Sequence, residues 1–236
     1  MAEAGCALVT GASSGIGLAC TRQLLEQGYL VAGISRRGQP EGLEHDRFVA
    51  VPLDLSEPGK IQTELDRLLD QYSFGCLVHA AGQGHFGSIE QFSVARIEQS
   101  LRVNLTSAMV ICRALVPAMR RLGGGRLVFI GSESALAAGR KGALYSAAKF
   151  GLRGFCQALR ADCAADGIRV SLINPGMVRS PFFDELAFRP GAAPENALET
   201  DDVARTVVHI LQAGSEFVID EINLSPRIKS IDFGSK

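Results

Sequence analysis

The chain has 236 residues, of which 47% are apolar and 21% charged, with a formal net charge of −1 at pH 7. That is apolar material for the core of one compact domain, and no global field that would draw nucleic acid or an anionic membrane. Arg36-Arg37, Arg120-Arg121 and Arg140-Lys141 are scattered pairs, not a nucleic-acid-binding stripe. No apolar run is read as reaching bilayer length, and the N-terminus lacks the positive region of a signal peptide. The six cysteines form no C-x-x-C pair and lie mostly inside apolar segments, so free buried thiols in a reducing cytoplasm are expected, with no metal.

The first strand is expected over Cys6–Thr10. It runs into Thr10-Gly11-Ala12-Ser13-Ser14-Gly15-Ile16-Gly17 and then a helix over Ile16–Gln27. Glycines between a first strand and a first helix allow a tight turn and let the backbone approach a diphosphate, which rests on the positive end of the helix. A second strand, Leu30–Ser35, ends at Ser35-Arg36-Arg37. A carboxylate there would select NAD; a hydroxyl and two guanidinium groups suit the 2′-phosphate of NADP, with Arg36 the better candidate and Arg37 its neighbour. A third strand, Phe48–Val51, leads to Asp54-Leu55, where Asp54 could meet an adenine amino group or serve a turn.

After a helix over Lys60–Gln71, the fourth strand, Cys76–Ala80, closes on Ala80-Ala81-Gly82, small enough for a flat cofactor to lie against the backbone. One long helix is expected over Val94–Arg121, with Asn104 an awkward polar residue in its interior that needs a partner. Gly123-Gly124-Gly125 ends it. The fifth strand, Arg126–Gly131, delivers Ser132 to the carboxyl edge of the sheet, where a hydroxyl can donate to a substrate oxygen; Ser134 is its local rival. In the helix Ala143–Asp166, Tyr145 and Lys149 stand four residues apart on one face. A free phenol titrates near pH ~10, and a neighbouring ammonium draws it towards neutrality, as a proton donor–acceptor requires. Strands at Arg169–Asn174 and Phe217–Leu224 and a helix at Asp201–Gln212 complete the alternation, with an irregular loop at 179–198 read as a substrate loop. Continuous apolar strands alternating with helices imply an α/β, doubly wound (Rossmann) sheet of about seven parallel strands with helices on both faces, one domain over 1–236.

Over essentially its whole length the chain resembles the short-chain dehydrogenase/reductase family. The resemblance rests on Thr10–Gly17, Asp54, Ala81-Gly82, Asn104, Ser132, Tyr145-x-x-x-Lys149 and Asn174-Pro175-Gly176. It implies Tyr145 as general acid/base and Ser132 orienting a carbonyl. Lys149 would lower the tyrosine pKa and hold the nicotinamide ribose, and Asn104 would complete a proton relay. Pro175, Gly176 and Val178 would flank the nicotinamide. Two departures stand out: His79-Ala80-Ala81-Gly82 replaces the family's Asn-Asn-Ala-Gly, and Ser180 replaces a threonine while keeping a hydroxyl for the carboxamide. The expected activity is NADP(H)-dependent oxidoreduction of a small carbonyl or alcohol, by a homodimer or homotetramer. Aldehydes, ketones and hydroxy acids all fit, and the C-terminal segment looks like that of relatives acting on 3-hydroxy acids. A non-catalytic NADP(H)-binding sensor or scaffold is the rival reading; a sugar epimerase fits poorly, since about sixty residues follow Gly176. His85 could contact substrate, His79 reads as structural, and Phe182, Phe183 and Phe188 could close an apolar pocket or simply pin the loop. Arg140 and Lys141 could attract an acidic substrate or only be solvated. Gly151 and Gly154 imply close packing along the Tyr145 helix.

Overall fold

A computed structural model describes residues 5–234. Its strands are β1 (Cys6–Thr10), β2 (Leu30–Ser35), β3 (Phe48–Pro52), β4 (Phe74–His79), β5 (Gly125–Ile130), β6 (Ile168–Pro175), the two-residue β7 (Val178–Arg179), β8 (Arg189–Pro190) and β9 (Leu198–Glu199), then β10 (Glu221–Leu224) and β11 (Ile231–Asp232). The helices are α1 (Gly15–Glu26), α2 (Pro58–Gln71), α3 (Val94–Leu101), α4 (Ser107–Arg121), α5 (Ala143–Cys163) and α6 (Thr200–Gln212). Seven strands form one parallel sheet in the order β10-β6-β5-β4-β1-β2-β3. The order reverses between β1 and β4, so the loops after these two strands diverge and leave a crevice at their carboxyl ends.

The apolar strands are buried on both faces because helices cover both. One layer packs Ile61, Leu65, Ile111, Leu115 and Leu152 of α2, α4 and α5 against Leu8, Leu77 and Phe129. The other packs Leu24 of α1 and Val203 and Val207 of α6 against Val9, Val78 and Val128. A fully buried leucine or valine contributes about 1.5–3 kcal/mol, so the two layers together outweigh any single surface interaction.

Four expectations are revised. The helix over 94–121 is interrupted: Arg102–Thr106 forms a π turn, with the Ser107 N–H bonding to the Arg102 carbonyl, and Asn104 sits inside it. The 28-residue stretch Val94–Arg121 is long and apolar enough to cross a membrane, contrary to the sequence reading, but half of that apolar window is buried inside the fold. The last sheet strand begins at Glu221, not Phe217. Phe217 is 56% exposed, and Ile219 packs onto the α1/α6 layer instead of pairing with β6. The loop at 179–198 is also less irregular than expected, since β7 pairs with β9 and β8 with β11. All six cysteines are free, five of them buried.

Candidate active site

The cofactor side begins at the β1–α1 turn. Gly11 adopts φ +69°, a left-handed conformation that favours glycine. A Cβ on Gly17 would lie 2.2 Å from the Gly11 carbonyl oxygen, so this close approach excludes any side chain. Ser14 caps α1 without a side-chain hydrogen bond, leaving first-turn N–H groups for an anion. Ser13 and Ile16 lie in the same turn. A dinucleotide diphosphate fits this cradle.

Of the two guanidinium groups, Arg37 rather than Arg36 reaches the loop, with Nη2 3.1 Å and Nε 3.3 Å from Ser13 Oγ. Arg36 was the expected candidate, but β2 ends one residue before it and the turn swings Arg37 back over the glycine loop. The Ser35 hydroxyl, expected to help bind phosphate, instead donates to the Gly38 carbonyl at 3.1 Å inside its own turn. Asp54 accepts from the Ser56 N–H at 2.8 Å, the turn role that its local sequence allowed, and Leu55 is buried beside it. Thr10 links β1 to β4: its Oγ1 accepts from the Ala81 N–H at 3.1 Å and lies 3.0 Å from His79 Nδ1. His79 is therefore structural, as expected: it bonds the Thr10 hydroxyl, which in turn holds the Ala81 N–H at the Ala80-Ala81-Gly82 turn. Burial, helped by the Lys149 charge, lowers its imidazole to about 3, so it stays neutral.

On the chemical side, Asn104, Ser132, Tyr145 and Lys149 are all withdrawn from solvent, at 0%, 8%, 7% and 4% exposure. Ser132 follows β5, and its Oγ accepts from the Ser134 N–H at 3.1 Å, which makes Ser134 a support for its rival rather than an alternative. The Ser132 hydroxyl lies beside the Tyr145 phenol and favours its ionised form. Lys149 donates to the Ile130 carbonyl at 3.0 Å, with Nζ 5.8 Å from the Tyr145 ring centroid. Asn104 Nδ2 donates to the carbonyls of Ser100 and Gln83, both at 3.0 Å, and its Oδ1 accepts from the Gln83 N–H at 3.0 Å. Asn104 and Lys149 converge on Gly82: a Cβ there would lie 3.1 Å from Asn104 Oδ1 and 3.6 Å from Lys149 Nζ.

The Tyr–Lys spacing raised the expectation of a depressed phenol, and this is corrected. Burial pushes Tyr145 up to about 12; the Ser132 hydroxyl pulls the other way, and Glu133 adds to the rise. Lys149 is itself stripped of water, which lowers it to about 8, and its ammonium is spent on the Ile130 carbonyl. Desolvation outweighs attraction at this distance.

From the other end, Pro175 and Gly176 leave β6 towards the crevice, Val178 is 4% exposed, and Ser180 Oγ donates to the Val178 carbonyl at 3.3 Å. The Ser180 Cβ comes within 3.5 Å of where a Cβ on Gly15 would stand, so the loop after β7 lies over the glycine turn.

Sequence reasoning missed Asn174 as a brace: its Oδ1 accepts from the Ser132 N–H at 3.3 Å while Nδ2 donates to Glu221 and Asn223. It also missed Phe86, whose ring lies 5.1 Å from that of Tyr145. An asparagine before proline inside an apolar strand was the available signal for the first; nothing local marks the second. His85 turns to Arg96, with Nε2 3.4 Å from its Nη1.

The short chain dehydrogenase family model matches residues 5–189. An uncharacterized oxidoreductase of Escherichia coli, YbbO, is 32% identical over 214 residues, spanning 86% of this chain and 79% of that protein. A D-beta-hydroxybutyrate dehydrogenase of Rhizobium meliloti is 28% identical over 226 residues, 91% of this chain and 86% of that protein. An alcohol dehydrogenase of Thermococcus sibiricus, solved with 5-hydroxy-NADP, superposes with a TM-score of 0.80 at 24% identity over 93% of this chain and 95% of that one, a likeness of fold. With the family model covering most of its length, the chain belongs to the short-chain dehydrogenase/reductase family of NAD(P)-dependent oxidoreductases.

Proposed function

We propose that the chain reversibly reduces a small carbonyl compound to an alcohol with NADP(H), Tyr145 passing the proton. The observation that carries this is the joint burial of Ser132, Tyr145, Lys149 and Asn104, with Lys149 and Asn104 converging on Gly82 beside the glycine turn. Ser132 holds the substrate oxygen where negative charge develops. A phenol pushed up to about 12 is protonated at neutral pH, so Tyr145 holds a proton to give, and the Ser132 hydroxyl, which pulls its pKa down, acts in the direction the transfer needs. The carbonyl carbon gains a hydride with its electron pair while the oxygen gains the phenol proton, and one alcohol results. A bound nicotinamide supplies the hydride and is oxidised as the carbonyl is reduced. The phenolate left behind is favoured by the Ser132 hydroxyl until a proton from solvent restores the phenol.

NADP over NAD rests on Arg37 at Ser13 and on the absence of a carboxylate at Ser35-Arg36-Arg37. A second copy of the chain would pack across α4 and α5, where Met109 and Phe150 are 40% and 43% exposed. Gly151 is already filled by Leu105 of the same chain, but a Cβ on Gly154 would meet nothing within 4 Å, which leaves room for a partner helix. Free thiols suit a reducing cytoplasm. Replacing Tyr145 with Phe tests the chemistry: turnover should drop by about 10³-fold or more, while NADPH binding, read by nucleotide fluorescence, stays within about twofold. Retained turnover would overturn the assignment.

A further inference from the structure

Five of the chain's twelve phenylalanines collect over Tyr145, and they come from three separate segments. Phe86, from the loop after β4, lies 5.1 Å from the Tyr145 ring at 44°; Phe182, from the loop after β7, lies 5.8 Å away at 56°. Phe188 meets Phe86 edge-on at 4.9 Å, Phe183 links Phe182 to Phe188, and Phe233 of the C-terminal tail lies 6.4 Å from Phe188. Gly84 makes room for the Phe182 ring, since a Cβ there would stand 2.6 Å from Phe182 Cζ.

The tail is stitched along this loop. β11 pairs antiparallel with β8, Arg189 Nε lies 3.1 Å from Asp232, and Gly191 donates to the Ser230 carbonyl at 3.0 Å. Asn196 Nδ2 donates to the Ile228 carbonyl at 3.1 Å, and Lys229 Nζ pairs with Glu133, next to Ser132, at 2.7 Å. Three cations along the loop and tail are engaged: Lys229 with Glu133, Arg189 with Asp232, and Arg179 with Glu199 and the carbonyls of 191–193. Asp184 and Glu185 stand in the loop between Phe183 and Phe188.

Resting on the carbonyl-reductase reading above, we propose that the substrate is an uncharged ketone or aldehyde bearing a flat apolar group, best an aromatic ring. That ring lies between Phe86 and Phe182 over Tyr145, and Phe233 is a specificity residue that holds Phe188 in the wall. The physical reason is exchange of contacts. To reach Tyr145, which is 7% exposed, a substrate must part these rings. An aromatic group replaces the ring–ring contacts it displaces, edge to face or offset. A carboxylate would instead lose its water against phenyl faces of negative potential, with acidic side chains at the loop and those three cations already paired. Arg140 and Lys141, exposed on the turn before α5, and Arg96, which meets His85 and Gln99 and no carboxylate among the described residues, are the counter-arguments, so a 3-oxo acid is the deciding comparison.

The test is steady-state reduction of acetophenone, benzaldehyde and 3-oxobutanoate by the full chain with NADPH. The wild type should favour the aromatic carbonyls in kcat/KM by about 100-fold. Phe182→Ala should cost aromatic carbonyls about tenfold, mostly in KM, and move 3-oxobutanoate little, with NADPH affinity unchanged. Phe233→Ala should do the same more weakly; Phe182→Leu, which keeps most of the volume, covers the case in which the alanine variant does not fold. Preference for 3-oxobutanoate, abolished by Tyr145→Phe, would overturn the substrate class and leave the carbonyl-reductase reading intact. Equal losses on aromatic and acid substrates in the Phe variants would also overturn it. A wild type that binds NADPH and reduces none of these carbonyls would sink both.

Discussion

Asn104 separates a relay role from a bracing role, and the structure sets the size of the effect. Its side chain is fully buried and closes four hydrogen bonds, to the carbonyl and the hydroxyl of Ser100 and to both the carbonyl and N–H of Gln83. Replacing Asn104 with Ala removes all four. Unmade buried bonds cost about 1–3 kcal/mol each and are not additive within one network, so about 3 kcal/mol is expected. For a chain of this size, each kcal/mol moves Tm by roughly 2–4 °C, so thermal unfolding should fall by about 6–12 °C. NADPH affinity should weaken too, because Gln83 carries Gly82 with it. Asn104→Asp sharpens the result. A carboxylate would face the carbonyls of Ser100 and Gln83, so the folded state prefers the protonated acid. The folded chain then holds a proton that the unfolded chain releases, and stability must fall as pH rises above about 4. The assay is Tm against pH for the wild type and both variants. If Asn104→Ala melts within about 2 °C of the wild type while turnover collapses, the side chain acts in chemistry alone and the bracing argument is wrong.

Two further predictions follow from single contacts. Arg37→Gln should lower kcat/KM for NADPH by about tenfold, allowing for the exposure of that guanidinium, and leave NADH within about twofold; Arg36→Gln should do less, and the reverse order would show that the Ser13 contact misleads. His79 is neutral in the fold with its imidazole at about 3, against 6.5 in the unfolded chain. The unfolded state therefore binds the extra proton between these values, so stability is lost as pH falls, by about 1 kcal/mol from pH 6.5 to 5.5. Denaturant midpoints at the two pH values should show this slope in the wild type and not in His79→Asn; an equal slope in both would place the titration elsewhere.

What was legible in the sequence was whatever lies within one element or one turn. Six apolar strand runs, the glycine turn after β1, the Tyr145–Lys149 spacing and the position of Ser132 just past β5 each depend on a few consecutive residues. Their geometry follows from local backbone rules, and parallel alternation orders the rest. Asn104 was legible only as a problem, a polar residue inside an apolar helix. The π turn that resolves it depends on Gln83, which lies on a different loop.

The tertiary structure alone decided the features built between segments far apart in the chain. Arg37 rather than Arg36 faces Ser13 because the turn after β2 brings it back beside the loop after β1. The phenol is raised rather than lowered because burial, which no spacing rule measures, outweighs an ammonium turned towards Ile130. The aromatic wall needed β11 to pair with β8 and so carry Phe233 to Phe188, forty-five residues earlier in the chain. A lone phenylalanine in a polar tail has no periodicity to announce it. The identity of the candidate catalytic groups is therefore a local property of this sequence, and the surroundings that bury and position them are a property of the fold.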